Sequence, residues 1–167
     1  MNQTTQDPQA TAAEQNVPGF VRYFQAQPMQ MPKALYEAVA LELTSRFPAD
    51  TLRMWCRVLG QQWAMQARDA YAQASDLPSL TDALNAYWAQ AGWGWVYLEE
   101  SEHGLQVHHQ ASPLPQGFGV QNLDWGIGLL EGFYDTVFKQ LGAADDMRVH
   151  VTQIAVDGFD LHFQFSA

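Results

Sequence analysis

Apolar residues recur at helical spacing through the first half of the chain and predict three helices there. Pro32 suits the first turn of the first helix, and Pro48 ends it. Within this helix an apolar residue recurs every four positions. These positions are Leu35, Val39, Leu43 and Phe47. The spacing places all four side chains on one face, which we expect to lie on the core.

The second and third helices show the same kind of apolar face. Asp50 is placed to cap the second helix. Ser79 and Asp82 have capping-box spacing at the start of the third helix, and Gly92 ends it. The apolar positions of the second helix are Leu52, Trp55, Cys56, Leu59, Trp63, Ala67, Ala70 and Tyr71. Those of the third are Leu84, Tyr87 and Trp88.

After Gly92 the apolar spacing changes from helical to alternating, which is typical of a strand. Trp93, Trp95 and Tyr97 share one face of residues 93–98, and the opposite face is apolar as well. Because both faces are apolar, the pattern predicts an interior strand. A turn at 101–104 and a partner strand at 105–109 complete a hairpin, and residues 112–119, rich in proline and glycine, predict a loop.

A fourth helix is predicted over about residues 123–141. Its core-facing positions are Leu130, Phe133, Tyr134, Val137, Phe138 and Leu141. Gly126, Gly128 and Gly132 in its first half each lower its intrinsic stability by ~1 kcal/mol. We therefore expect these glycines to permit the close approach of another backbone, from the sheet or from a second subunit.

The chain ends in a second predicted hairpin, with its turn at Asp157-Gly158. The strand before the turn changes phase between Val151 and Ile154, which a bulge near Gln153 would explain. The predicted fold class is therefore α+β, with four helices packed on an antiparallel sheet of about four strands and an extended N-terminal segment.

Composition divides the N-terminal region into two parts. Residues 1–17 are polar and acidic with almost nothing to bury, which predicts a disordered tail. Residues 18–31 begin with a short aromatic run, too apolar for a plain linker, which we expect to dock on this subunit or on a neighbour. Residues 32–167 then form a single domain.

The charge balance narrows the choice of partners. Only 16% of the residues are charged, which is low for a small monomer and favours self-association or a surface of neutral polar groups. The formal charge of −10 would repel the phosphates of nucleic acids and anionic lipids. A neutral ligand such as a sugar is compatible with this charge.

Two further features bear on the compartment and on redox chemistry. Cys56 is the single cysteine, which excludes an internal disulfide, and its place on an apolar helix face predicts a buried thiol. The N-terminal residues show no basic region followed by an apolar one, and no run approaches the ~20 apolar residues of a membrane span. We therefore expect a cytoplasmic protein without direct membrane insertion.

Candidate catalytic and metal-binding residues lack the arrangements that their chemistry needs. His108 and His109 are adjacent on a strand, so they point to opposite faces and cannot chelate one ion. Glu131 and Asp135 share a helix face and could in principle hydrolyse a glycosidic bond, but the interpretation as a solvated or interface-lining pair is favoured. The sequence contains neither a nucleophile elbow nor a phosphate-binding loop. We predict no catalytic site, no metal and no cofactor.

The run Gly92-Trp93-Gly94-Trp95 has the composition of a sugar-stacking platform. Aromatic rings can pack against the apolar faces of sugars, so this run is a candidate binding surface. Its position on a strand predicted to be apolar on both faces favours the core instead.

Two blocks of the chain resemble the D subunit of bacterial cellulose synthase. Trp93-Gly94-Trp95-Val96 is similar to the "WGYV" strand of that family, and Trp125 with Leu130-Glu131-Gly132-Phe133-Tyr134 is similar to its "W…LEGLY" helix. His108 or His109 stands where the family has a histidine near the end of a hairpin.

The N-terminal part of the chain extends this resemblance. Pro18-Gly19-Phe20 and Phe24-Gln25-Ala26 look like the aromatic N-terminal segment of the family. In all, the resemblance covers roughly residues 18–165 in the same order.

This resemblance implies a non-catalytic accessory subunit that forms a cylindrical homo-octamer, a tetramer of dimers. Glucan chains would pass through channels lined by N-terminal segments and be ordered for export and crystallisation. The candidate glucan contacts are Phe20, Tyr23, Phe24 and Gln25, and the candidate interface or packing residues are Trp125, Gly128, Gly132 and Tyr134. Other subunits of the synthase complex at the inner membrane are the implied partners, with the periplasm as the alternative compartment.

A second resemblance gives the alternative function. The run from Leu130 through Leu141-Gly142 into the final hairpin looks like the small-molecule-binding domains of the vinyl-reductase type, which usually carry cysteines around that hairpin. This chain has no cysteine there. A monomeric or dimeric sensor of this kind would hold its ligand in a closed apolar pocket.

Overall fold

The computed structural model describes residues 33–102 and 104–167. The predictions for residues 1–17 and 18–31, including the four candidate glucan contacts, lie outside these described residues. Within the described ranges the helices are α1 Lys33–Arg46, α2 Ala49–Gln66, α3 Arg68–Tyr71, α4 Leu77–Ala91, α5 Leu114–Phe118, α6 Leu123–Gly126 and α7 Gly128–Gln140, and a 3₁₀ turn spans Val120–Asn122. The strands are β1 Trp95–Ser101, β2 Gly104–Gln110, β3 Arg148–Ile154 and β4 Leu161–Ser166.

The predicted α+β fold is confirmed. In the described part of the chain, four helices longer than ten residues pack with one antiparallel sheet of four strands, in the order β1-β2-β4-β3. Alternate residues of the strands, such as Val96, Val107 and Phe163, point to the helices and are buried. Each strand therefore has one face on the core and one turned away from it.

The strand at 93–98 was predicted to be interior, and this prediction is wrong. Among the described strands β1 lies at the edge and pairs with β2 alone, and Trp95 and Tyr97 are 52% and 53% exposed. Val96 and Leu98 on the opposite face are buried. The prediction assumed that a strand with apolar residues on both faces is covered on both. Large aromatic side chains also occur on exposed faces of sheets, as Trp95 and Tyr97 do here.

The helix caps differ from those predicted. α4 begins two residues before Ser79, because Asp76 is its N-cap and accepts a hydrogen bond from the backbone N–H of Ser79 at 2.8 Å. The Ser79 side chain reaches back to the N–H of Asp76, which completes a capping box one turn earlier than expected. At α2 the N-cap is Pro48, and Asp50 lies inside the first turn.

The predicted fourth helix is divided in the structure. Ile127 separates α6 from α7, and the predicted loop at 112–119 contains the short helix α5. α1 also departs from its predicted pattern, because Leu35 and Val39 are exposed and the buried residue is Ala40.

The C-terminal hairpin follows the prediction in detail. The register between β3 and β4 shifts between Val151 and Gln153, where the bulge was expected. The turn contains Gly158 with φ of +76°, a conformation that favours glycine. Cys56 is also buried as predicted, and burial raises the pKa of its thiol to about 11.

An aromatic core lies between the helices and the sheet. Trp88 has no exposed surface, and its ring lies 4.6 Å from that of Phe133 and 5.2 Å from that of Trp63. A second, smaller cluster joins α1, α2 and α6 through Ala40, Leu52, Cys56 and Trp125. The two clusters make α2 and α7 the central elements of the helical layer.

The backbones of α2 and α7 approach each other at three glycines. A Cβ atom on Gly132 would lie 2.0 Å from the carbonyl oxygen of Arg57, and one on Gly128 would lie 2.4 Å from that of Arg53. In the other direction, a Cβ on Gly60 would lie 1.9 Å from the carbonyl oxygen of Leu129. The backbone that approaches these glycines therefore belongs to a helix of the same chain.

Candidate functional site

The carboxylates of Glu131 and Asp135 lie one turn apart on α7 and face the edge strand β3. Glu131 accepts a hydrogen bond from the N–H of Val151 at 3.0 Å, and Asp135 accepts one from the N–H of Val149 at 3.1 Å. The sequence favoured a solvated or interface-lining pair, but both carboxylates are buried between elements of the same chain and are not solvated. Four residues along a helix and two residues along a strand span similar distances, so the two carboxylates reach the N–H groups of Val151 and Val149, which point the same way.

Two arginines of α2 hold the Glu131 carboxylate from the opposite side. Arg53 binds both of its oxygens, with Nη2 at 2.5 Å from Oε1 and Nε at 3.1 Å from Oε2. Arg57 lies 3.8 Å from the same carboxylate and donates to the carbonyl of Val149 at 2.5 Å. The hydrogen bond to Glu131 raises the pKa of the Arg53 guanidinium. Helix α2, helix α7 and strand β3 thus meet at one buried acid.

Asp135 has its own cation. Lys139, one turn further along α7, lies 2.8 Å from Oδ2 of Asp135. Each carboxylate is therefore bound by one backbone N–H of β3 and by at least one basic side chain. Because the side chain of Glu131 has no exposed surface and that of Asp135 has 7%, a polymeric sugar cannot reach them for hydrolysis.

The other edge strand is bound by an amide. The side chain of Asn85 on α4 accepts from the N–H of Val96 at 2.7 Å and donates to the carbonyl of the same residue at 3.0 Å. It occupies the position that a further strand would take beside β1. An exposed edge invites pairing with another chain, and Asn85 and the α7 carboxylates restrict this pairing at Val96, Val149 and Val151.

His109 is fixed in one neutral form by its partners. Its Nε2 lies 2.7 Å from the carbonyl oxygen of Trp93, which can only accept, so Nε2 carries the proton and donates. Nδ1 then accepts from the hydroxyl of Tyr134 at 2.6 Å. Burial lowers the pKa of His109 to about 4 and raises the pKa of Tyr134 well above 10. The hydrogen bond between His109 and Tyr134 therefore joins the last residues of β2 to α7.

His108 points to the other face of the sheet, as strand geometry requires. Its ring lies 4.4 Å from that of His162 in an edge-on arrangement, and burial together with His162 lowers its pKa. Across residues 33–102 and 104–167, no three His, Cys, Asp or Glu side chains are arranged to hold a metal ion.

The structure places the candidate interface or packing residues inside the described unit. Gly128 and Gly132 contact α2, and the side chain of Tyr134 has no exposed surface. Trp125 is 2% exposed, with its ring 5.1 Å from that of Phe118. In the described part of the chain these residues therefore pack the subunit's own helices.

The exposed side of α2 is unusually apolar. Residues that recur at helical spacing there are between 41% and 58% exposed: Met54, Trp55, Val58, Leu59 and Met65. The exposed residues between them are Gln62 and Gln66, so this helical stripe carries no charge. Arg53 and Arg57 turn toward Glu131, and the charged residue nearest the stripe is Asp50, one turn before Met54. Large apolar surface of this kind marks an interaction site in soluble proteins.

Sequence reasoning missed Arg53, Arg57 and Asn85. A signal for the arginines was present, since two of eight basic residues stand four apart on one helix of an acidic chain. Glu131 stands on another helix with an apolar face, so a buried acid on one helix and two basic residues on the other were candidates for an ion pair. Asn85 carried no such signal, because one polar residue on a helix does not indicate a strand edge.

Comparison with known proteins decides the family. The model of the cellulose synthase D subunit family matches residues 22–164, which is most of the chain. The chain belongs to the cellulose synthase D subunit family. No curated protein matches it.

Family membership assigns the chain a role in cellulose synthesis and association with the synthase complex. The matched region begins at Arg22, so it includes Tyr23, Phe24 and Gln25 and leaves out Phe20. In the described part of this D-family chain, no helix has the length and apolar character to cross a membrane.

Proposed function

We propose that this chain is a non-catalytic part of the cellulose synthase complex that assembles into a homo-octamer, a tetramer of dimers. The assembly guides glucan chains and orders them during export and crystallisation. It works on the cytoplasmic side of the inner membrane, beside the membrane-bound subunits.

The observation that carries the assembly is the helical stripe of α2. Five large apolar side chains stand in water there without a charged neighbour in the stripe, although the chain has a formal charge of −10. Covering apolar area contributes about 25 cal/mol per Å², so a self-complementary contact over this stripe stabilises an oligomer.

The buried acids support a role other than hydrolysis. Glu131 and Asp135 are saturated by arginine, lysine and backbone N–H groups, and they hold β3 against the helices. A glycosidase needs its two carboxylates at an open cleft. The pair in this chain is a structural support for a rigid subunit.

Glucan contact belongs to the aromatic segment before α1. Phe20, Tyr23, Phe24 and Gln25 combine aromatic rings with a neutral amide, which suits an uncharged sugar chain. In a homo-octamer, weak contacts from more than one such segment would act jointly on a glucan chain.

Light scattering coupled to size exclusion tests the assembly directly. Purified full-length protein should have the mass of eight chains at micromolar concentration, and the protein without residues 1–17 should also have the mass of eight of its shorter chains. A monomer at that concentration would refute the proposal.

A longer truncation tests the glucan role. Removal of residues 1–24 should weaken retention of the protein in native gels that contain hydroxyethyl cellulose, whereas removal of residues 1–17 should not. Equal retention of both truncated proteins and the full chain would remove the segment from the proposal.

The vinyl-reductase-like sensor remains the alternative interpretation of the C-terminal half. It requires a closed apolar pocket, whereas the cleft lined by Leu80, Leu105, Phe138 and Phe165 among others is open to solvent and also has Glu100 in its lining. The open cleft and the family match favour the assembly function.

A further inference from the structure

Trp95 and Tyr97 lie on the face of the sheet opposite the helices of residues 33–140. They alternate along β1 with Val96 and Leu98, which are buried, and about half of each aromatic residue is exposed, 52% and 53%. Residues two apart on a strand are separated by about 6.6 Å, so the two rings stand side by side.

The neighbouring strands add neutral polar groups to this face. Gln110 is opposite Trp95, and His108 is opposite Tyr97, with His162 next to it on β4. We call the set the outer sheet face: Trp95, Tyr97, Gln106, His108, Gln110, His162 and Gln164. Amides and imidazoles surround the rings here, and the carboxylate of Glu99 lies beside His108, with 3.9 Å between Oε2 and Nε2.

Contacts within the face hold the rings in place. The indole N–H of Trp95 donates to the amide oxygen of Gln110 at 2.6 Å. The ring of Tyr97 lies 5.8 Å from that of His108. Before β1, Gly94 has φ of +77°, and a Cβ there would lie 1.9 Å from the carbonyl oxygen of Gln110, which fixes the path of the chain into Trp95. Side chains ordered before binding reduce the entropy that binding costs.

We propose that the outer sheet face binds a single uncharged β-linked glucan chain. The proposal rests on the proposed glucan role of the subunit and adds a second contact site away from the N-terminal segment. Trp95 and Tyr97 pack against the apolar C–H faces of successive sugars, and the glutamine amides exchange hydrogen bonds with hydroxyl groups at the sugar edges. His108, whose Nε2 is buried, supports the ring of Tyr97 from below.

The surroundings of the rings favour a glucan over a second protein subunit. On the helical stripe of α2 the neighbours of Trp55 are Met54, Val58 and Leu59, which suit an apolar protein contact. On the outer sheet face the neighbours are mainly amides and imidazoles, which suit a ligand rich in hydroxyls. Glu99, two residues after Tyr97 on the same strand, adds one half-exposed carboxylate that can accept from hydroxyls. A polyanion would be repelled by the net charge of −10.

Native gel electrophoresis in hydroxyethyl cellulose, with cellopentaose titration by calorimetry, tests this site on the full-length protein. Trp95→Ala and Tyr97→Ala should each weaken binding roughly three- to tenfold, the effect of losing one aromatic contact. Tyr97→Phe keeps the ring and should retain most of the affinity. Val156→Ala, at a fully exposed apolar residue of the last turn, is the matched control and should bind as the unmodified protein does.

Light scattering on the same samples separates the possible results. Loss of glucan binding with the oligomer intact supports the site. Unchanged binding in both alanine variants overturns it and leaves the proposed function standing. A fall in mass together with loss of binding identifies the face as a subunit contact and also overturns it. If the unmodified protein does not bind either glucan, both this site and the glucan part of the proposed function are wrong.

Discussion

At the scale of single residues, buried polar groups determine how the layers of this protein fit together. Glu131 and His109 have no exposed surface, and each has partners in two other segments of the chain. Leaving such a group without a partner costs about 1–3 kcal/mol, and more when it is charged. The sequence indicated that these residues were special but not that they were buried, because burial depends on which elements pack together.

The pH dependence of stability should reveal His109. Its pKa is about 4 in the folded chain and about 6.5 when unfolded, so the unfolded state binds more protons below pH 6.5. Stability is complete above this value and falls as the pH is lowered. We expect a loss of about 2 kcal/mol between pH 7 and pH 5, a range that stays above the pI of about 4.6.

Urea unfolding at several pH values measures this contribution. In His109→Gln, the free energy of unfolding should no longer show the fall with decreasing pH that His109 causes. His150→Gln, at an exposed histidine, should show the same fall as the unmodified protein. The same fall in both variants would mean that His109 does not carry the effect.

Glu131→Gln tests the buried ion pair. The amide keeps the shape but removes the charge that binds Arg53 and Arg57, and we expect a loss of ~2–3 kcal/mol in the free energy of unfolding. The value is below that of a fully buried pair because the arginine side chains are about one-third exposed. Glu37→Gln, in the exposed pair with Lys33, is the control and should change stability by less than about 0.5 kcal/mol. A similar loss in both variants would refute the special role of Glu131.

At the scale of elements, periodicity predicted most helices and strands correctly, but it predicted less well which of their faces are buried. The bulge near Gln153 and the turn at Gly158 follow from local sequence, since phase and backbone conformation are local properties. The exposure of Trp95 depends on the strand order, which places β1 at an edge. Strand order results from long-range packing and leaves no local pattern.

The contact between α2 and α7 depends on glycine at Gly132. Even one methyl group there would lie 2.0 Å from the carbonyl oxygen of Arg57, so the helices must separate to accept it. We expect Gly132→Ala to lower the free energy of unfolding by about 3 kcal/mol, measured by urea titration.

Gly117→Ala is a matched control in a short helix. The nearest atom to its new Cβ is Cδ1 of Tyr36 at 4.0 Å, an ordinary contact, so stability should change by less than about 0.5 kcal/mol. If Gly132→Ala were equally mild, the close backbone contact would not limit the packing of these helices.

At the scale of the whole molecule, low charge content and an apolar helix surface point to the same behaviour. The sequence predicted self-association from 16% charged residues, and the structure has a charge-free stripe on α2 where a partner would bind. The position of the stripe could not be predicted, because Trp55 and Leu59 have the same helical spacing as buried residues. Their exposure follows from which face of α2 packs on α7.

Charged substitutions in the stripe should disrupt assembly. In Val58→Glu with Leu59→Glu, two carboxylates would have to enter the subunit contact, so light scattering should give a smaller species than the unmodified protein. Circular dichroism should show an unchanged fold, since both residues are about half exposed. Val156→Glu adds a charge at a fully exposed turn residue and should leave the mass unchanged. An intact oligomer in the double variant would place the interface elsewhere.

Salt should strengthen the assembly rather than weaken it. Each subunit carries a formal charge of −10, so subunits repel one another as they associate, and the stripe offers no ion pairs that salt could screen. Raising sodium chloride from about 0.05 M to about 0.5 M shortens the screening length from roughly 14 Å to roughly 4 Å. The dissociation constant of the oligomer, measured by analytical ultracentrifugation, should therefore fall with salt. A rise would mean that attractive charge pairs between subunits dominate, and the apolar stripe would not be the main contact.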